Sequence, residues 1–120
     1  MNIYLIRPIC FVMPIFEGMV VSYRQLLEGK GHKVYDPGRD TDSDVSELEI
    51  CKQNLEALKK ADEVHVFLLN GDECLFELGM AFALEKKIKA ISPFQETAYK
   101  SVNNLLRQLM LESRIPVGAD

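Results

Sequence analysis

Four short apolar runs alternate along this chain with four longer stretches in which apolar residues recur at steps of three and four, and no other feature restricts the fold as strongly. Runs of that length suit strands and the longer stretches suit helices. Their alternation is the pattern of repeated βα units around a mostly parallel sheet. The first run, Ile3-Tyr4-Leu5-Ile6, ends at Arg7-Pro8 and leads to a segment with Phe16, Met19, Val20, Tyr23, Leu26 and Leu27 on helical spacing, closed by Gly29 and Gly31. His32 to Tyr35 is the second run and Asp36-Pro37-Gly38 a turn. Ser43 and Asp44 are the expected N-caps of the next helix, which carries Leu48, Cys51, Leu55 and Leu58 on one face and ends at Lys59-Lys60. The third run, Glu63 to Leu69, is apolar on both sides apart from His65, which marks a central strand. Asn70-Gly71-Asp72 turns into a helix, Glu73 to Glu85, that is apolar nearly all round and is therefore predicted to be mostly buried. Ile88 to Ile91 is the fourth run, and Tyr99, Val102, Leu105, Leu106 and Leu109 mark the last helix.

With right-handed crossovers these elements predict an α/β fold, a flavodoxin- or Rossmann-like three-layer sandwich of four or five strands in the order 2-1-3-4. At 120 residues there is room for one domain, expected over residues 1–112, with 113–120 as a C-terminal tail. The net charge of −4 and the scattered basic residues lack the electrostatic footprint of a duplex nucleic-acid binder. Three well-separated cysteines and two histidines, without a C-x-x-C pair, point away from a disulfide framework or structural zinc, so no metal is expected. No apolar run approaches the roughly eighteen residues of a membrane span and no basic leader opens the chain, so no membrane partner is expected and the protein reads as cytoplasmic.

Ligands of open parallel sheets bind outside the carboxyl ends of the strands, where the strand order reverses. Here that point falls between strands one and three, so the loops at Arg7-Pro8 and Asn70-Gly71-Asp72 are expected to face each other. Glu77 interrupts an otherwise apolar helix one turn past its start. It is either a partly desolvated carboxylate, fit to act as nucleophile, acid or base, or a solvated residue on an exposed helix edge. Asp72 opens the same helix and reads first as its cap, a position that can also face a pocket. Arg7 offers a planar fork for a phosphate or carboxylate, or equally a partner for a local acid. Asp62 closes the second helix. His65 reads as a satisfied interior histidine, His32 has no special role, and the cysteines behave as small hydrophobes, with Cys74 alone near a helix N-terminus. Neither G-x-G-x-x-G nor G-x-x-x-x-G-K-[ST] is present, which disfavours NAD and ATP chemistry, and no cofactor is expected.

Ile3-Tyr4-Leu5-Ile6-Arg7-Pro8, Ala61-Asp62-Glu63-Val64 and above all Phe76-Glu77-Leu78-Gly79-Met80-Ala81-Phe82-Ala83-Leu84 followed by Lys87-Ile88 resemble, in this order, the nucleoside 2-deoxyribosyltransferase family and the related N-glycosidases of nucleoside 5′-monophosphates. The similarity spans about the first ninety residues, and the E-L-G-x-A segment is its most specific part. The resemblance implies cleavage of an N-glycosidic bond, with the sugar passed to another base or to water. It places Glu77 as the nucleophile at the anomeric carbon, Asp62 at the base proton, Asp72 as the preceding acid, and Tyr4, Arg7, Pro8 and Gly79 around the substrate. It also implies a nucleoside or nucleotide ligand and a homodimer or higher assembly in which a neighbouring subunit completes the pocket. The chain departs from the family pattern in two places: Ile6-Arg7 replaces a small Ala-Gly, and Glu73-Cys74 replaces Gly-Thr or Gly-Ser. Arg7 there either fills the pocket or reads a 5′-phosphate, while Glu73 adds a negative charge that opposes one. These departures leave an inactive nucleotide-binding or sensing module as the alternative, and a purely structural subunit as a third reading.

Overall fold

The computed structural model describes residues 1–10, 12–67, 69 and 71–114, with side chains to residue 112. Its elements are β1 (Asn2–Ile6), α1 (Pro14–Gly29), β2 (Lys33–Tyr35), α2 (Pro37–Asp40), α3 (Glu47–Lys60), β3 (Glu63–Val66), α4 (Asp72–Ala83), β4 (Lys87–Ala90) and α5 (Val102–Arg114). Among the described residues four strands pair in parallel in the order β2-β1-β3-β4. The α/β class and the 2-1-3-4 order follow from the alternation of runs, because right-handed crossovers leave little other choice.

Strand side chains alternate between faces, and the two faces build separate cores. Ile3 and Leu5 join Val34, Phe67 and the α1 residues Val20 and Leu27 on one side. Tyr4, Ile6, Val64, Val66 and Ile88 join Leu58 of α3 and Cys74, Leu78 and Ala81 of α4 on the other. Register sets Tyr4 beside Tyr35 on β2 and Val64 on β3. The Tyr4 ring is thereby committed to the layer beneath α3 and α4.

Several expectations are corrected. Asp36-Pro37-Gly38 does more than turn: Asp36 Oδ1 accepts from Gly38 N at 3.0 Å and caps the short helix α2, with Pro37 at its first position. Helix α3 is capped by Ser46, whose Oγ accepts from Glu49 N at 3.3 Å, rather than by Ser43 or Asp44. On that helix Leu48 is exposed, while Asn54 is buried. Helix α4 buries Cys74, Glu77, Leu78 and Ala81 but leaves Leu75, Phe76 and Phe82 exposed, so its apolar character exceeds what the sheet can cover. The third strand ends at Val66, and Leu68 lies outside the described residues. Helix α5 continues to Arg114, into the expected tail, and 115–120 lie outside the described residues. No helix among the described residues is long and apolar enough to cross a membrane.

Candidate functional site

Helices α3 and α4 pack side by side over one face of the sheet, and between them opens a cleft of about 410 Å³. Glu47, Ile50, Cys51 and Asn54 line it from α3, and Asp72, Glu73, Phe76, Glu77 and Met80 from α4. Glu77 is 5% exposed. Tyr4 Oη donates to its Oε1 at 2.6 Å and Asn54 Nδ2 to the same oxygen at 3.2 Å, so the second oxygen, Oε2, takes neither bond. Burial pushes the Glu77 carboxyl up from the ordinary 4.5 to about 7; the Tyr4 hydrogen bond works against this rise and the charge of Glu73 adds to it. Tyr4 is itself fully buried and its phenol is held protonated, first by burial and then by the adjacent Glu77 charge. Of the two readings of Glu77, the structure selects the desolvated carboxylate.

The helix start explains why Glu77 reaches this wall. Gly71 occupies the cap position with φ at 100°, a left-handed conformation that glycine adopts without strain, so Asp72 is the first helical residue and not the cap. Asp72 and Glu73 then lie exposed at the rim of the cleft and Glu77 one turn deeper.

Tyr4, Asp72 and Glu77 are brought together at this cleft, with Tyr4 behind the carboxylate and not open to a ligand. Asp62 is not. It sits at the amino end of β3, where its Oδ2 accepts from Asn2 N at 2.7 Å and its own N donates to Asn2 O at 2.7 Å, a clamp between the starts of β1 and β3. In open parallel sheets the ligand-binding loops leave from the other, carboxyl end of the strands. Gly79 lies on the exposed side of α4, where a Cβ would meet nothing within 4 Å, and it is not in the cleft wall.

Arg7 is buried and points to the α1 side of β1, as its alternation with Ile6 requires. Its Nη2 donates to Glu17, its Nη1 to Pro8 O at 3.1 Å, and its Nε lies 3.1 Å from Asp36 Oδ1. Arg24 Nη1 donates to Asp36 Oδ2 at 2.7 Å. The guanidinium also lies against Gly38, where a Cβ would come within 3.1 Å of it. Arg7 thus pairs with local acids, and Pro8, buried beside it, supplies a carbonyl to that network.

His65 sits in the interior on the α1 face, with Nδ1 2.6 Å from Tyr23 Oη and Nε2 3.0 Å from Glu63 Oε1. Burial lowers its pKa even though Glu63 acts to raise it. The cysteines differ in setting: Cys10 is exposed, Cys51 is half-buried at the cleft and Cys74 is fully buried. No group of three or more His, Cys, Asp or Glu that could hold a metal occurs among the described residues. The residue that sequence reasoning missed is Asn54. Its signal was present, since it falls between Cys51 and Leu58 on the inward face of α3, where a polar side chain needs a partner.

No protein-family model matches the sequence, and no curated protein matches it significantly. Solved structures do. A 2-deoxyribosyltransferase from the psychrotolerant bacterium Bacillus psychrosaccharolyticus superimposes with a TM-score of 0.66 at 24% identity, over 91% of this chain and 96% of that one. A CMP N-glycosidase from Clostridium botulinum gives 0.64 at 20% identity, over 91% and 82%. A 2-deoxyribosyltransferase from Leishmania mexicana gives 0.61 at 23% identity, over 77% and 64%. The chain therefore has the nucleoside deoxyribosyltransferase fold, a flavodoxin-like α/β arrangement.

Proposed function

We propose that this protein cleaves the N-glycosidic bond of a deoxynucleoside with Glu77 as nucleophile. The observation that carries the reading is a buried carboxylate in a cleft wall, held through one oxygen by Tyr4 and Asn54. The likeness to two deoxyribosyltransferases and a CMP N-glycosidase supports it. In the first half-reaction Oε2 of ionised Glu77 attacks C1′ and the electron pair of the C1′–N bond leaves with the base, which takes up a proton; Asp72 at the rim is proposed to exchange it. The result is a sugar ester of Glu77. In the second, a nitrogen of another base, or water, attacks C1′, the ester oxygen leaves with its electron pair, and the attacking group gives up a proton. Tyr4 and Asn54 stabilise the carboxylate both before attack and after release, where charge returns to it.

The cleft also discriminates among substrates. Glu47, Asp72, Glu73 and Glu77 line it, and no lysine or arginine does among the described residues. Arg7, the one cation nominated for a phosphate, is engaged by Glu17 and Asp36 on the opposite face of β1. A 5′-phosphate would enter this acidic field at a Coulombic penalty of about 1 kcal/mol or more. Wild-type protein is expected to favour deoxynucleosides over their 5′-monophosphates by at least about fivefold in kcat/KM, and Glu73→Lys to narrow that ratio.

In the proposed assembly a second copy of the chain covers the open side of the cleft, where Phe76 is 61% exposed. Sedimentation would show a dimer or larger particle, and a monomer active at micromolar concentration would refute this part. The proposed setting is the cytoplasm. The function itself is tested by chromatography of purified protein with deoxynucleosides and their monophosphates, with and without a second base. New nucleoside marks transfer and free base alone marks hydrolysis. Absence of turnover, combined with a nucleoside-induced thermal shift, would replace the enzyme by a binding module.

A further inference from the structure

We infer that Tyr35, Thr41 and Asn54 form a one-way hydrogen-bond relay that ends on the Glu77 oxygen Tyr4 also holds, and that these three are positioning residues of the site. This rests on the reading of Glu77 as nucleophile.

The direction of each bond follows from counting protons. A carboxylate only accepts, so the Asn54 group 3.2 Å from Glu77 Oε1 is the amide NH₂. The amide oxygen then faces the other way, 2.7 Å from Thr41 Oγ1, and requires a donor there. Thr41 has a single hydroxyl proton and spends it on Asn54. Its oxygen can therefore only accept from Tyr35 Oη, 2.6 Å away, which makes Tyr35 the donor that starts the chain. The Tyr35 ring in turn stacks on Tyr4, with centroids 5.4 Å apart and planes 13° from parallel, and Tyr4 donates to Glu77. The circuit closes on itself. It links the middle of β1, the ends of β2 and α2 and one turn each of α3 and α4, and a rotation of Glu77 breaks its bonds to Tyr4 on β1 and to Asn54 on α3.

The arrangement also gives a purpose to the short helix α2. Asp36 caps it, and Thr41 is the residue at its C-terminal end. Without that single turn, Thr41 would not be presented to Asn54. A flipped Asn54 amide would aim its oxygen at the carboxylate, two acceptors in contact, and would disfavour the ionised form that attack on C1′ requires.

The test reads Glu77 directly. Its carboxyl is followed by carbon NMR across pH in protein labelled at glutamate side chains, in wild type and in Thr41→Val, Thr41→Ser, Asn54→Ala and Tyr35→Phe. The titrating or charged groups around Glu77 are Tyr4 from β1 and Glu73 from its own helix, with Asp72 and Glu47 lining the same cleft, and all are kept in these variants. The relay predicts that Thr41→Val and Asn54→Ala raise the midpoint from about 7 by about half a unit or more, because a donor to the charged form is lost. Thr41→Ser restores the wild-type value, and Tyr35→Phe moves it in the same direction by less. In turnover, Thr41→Val lowers kcat about tenfold with KM within about twofold, and the pH profile follows the midpoint. An unmoved midpoint in folded Thr41→Val and Asn54→Ala overturns the relay; if Thr41→Val does not fold, Tyr35→Phe decides in its place. A shifted midpoint in a protein that turns over no nucleoside keeps the relay and discards the proposed function, and normal turnover with an unmoved midpoint does the reverse.

Discussion

Glu77→Gln is expected to lower turnover by at least about a thousandfold and at the same time to make the protein more stable above neutral pH. Both effects have one cause. Burial raises the Glu77 carboxyl from 4.5 to about 7, so the folded protein holds this proton more tightly than the unfolded chain does. The associated stability is fully present below about 4.5 and is lost as pH rises through about 7. By pH 8 the buried ionised carboxylate costs about 3 kcal/mol relative to the protonated form. Glutamine keeps an oxygen that accepts from Tyr4 and Asn54 and carries no charge. Thermal melts should show Glu77→Gln above wild type by several degrees at pH 8 and level with it near pH 4. A variant that melts lower than wild type at both values would show that the carboxylate is comfortable in its pocket, and would remove the ground for treating Glu77 as poised for chemistry. The proposed role requires Glu77 to be ionised, so turnover is expected to rise with pH through about 7.

What could be read from the chain, and what could not, follows the range of the forces involved. Strands β1 to β4 and their order are set by local periodicity and by the handedness of crossovers, both present in the order of residues. Glu77 stood out for a similar reason: a carboxylate in the apolar stripe of α4 is a local anomaly that needs an explanation. Asn54 is the same kind of anomaly on α3, but it lies among leucines whose spacing signals packing, and its partners Glu77 and Thr41 are distant in sequence. The resemblance places Tyr4 around the substrate, whereas its burial behind Glu77 depends on register with Tyr35 and Val64, contacts far apart in sequence. Asp62 shows the limit most clearly. Its neighbours Ala61 and Glu63 say that a strand begins there, and the start of a parallel strand is by construction the end away from the binding loops. The resemblance assigns Asp62 a role at the base proton, and the structure has its carboxylate bonded to the Asn2 backbone, outside the α3–α4 cleft. Arg7 was undecided between a ligand and a local acid because the deciding partner, Asp36, belongs to the end of another strand.

That partner sets the second large effect. Asp36→Ala is expected to destabilise the protein by about 3–5 kcal/mol, a fall in melting temperature of more than about 10 °C. Asp36 is fully buried, and its two oxygens face Arg7 Nε at 3.1 Å and Arg24 Nη1 at 2.7 Å. Removing it strands the Arg7 side chain, itself 2% exposed, with Glu17 at the protein edge its one remaining ion-pair partner among the described residues. The cap of α2 is lost as well, since Gly38 N donates to Asp36 Oδ1. The two contributions separate in a double variant. Arg7→Leu removes the stranded charge, so Asp36→Ala in that background should cost only about 1–2 kcal/mol, the loss of the cap and of the bond to Arg24. A coupling of that size between Arg7 and Asp36 would establish Arg7 as a structural cation that the fold has withdrawn from ligand binding. Full additivity of the two losses would instead leave Arg7 free to be recruited, and the ratio of nucleoside to monophosphate turnover in Glu17→Ala would then be the quantity that moves.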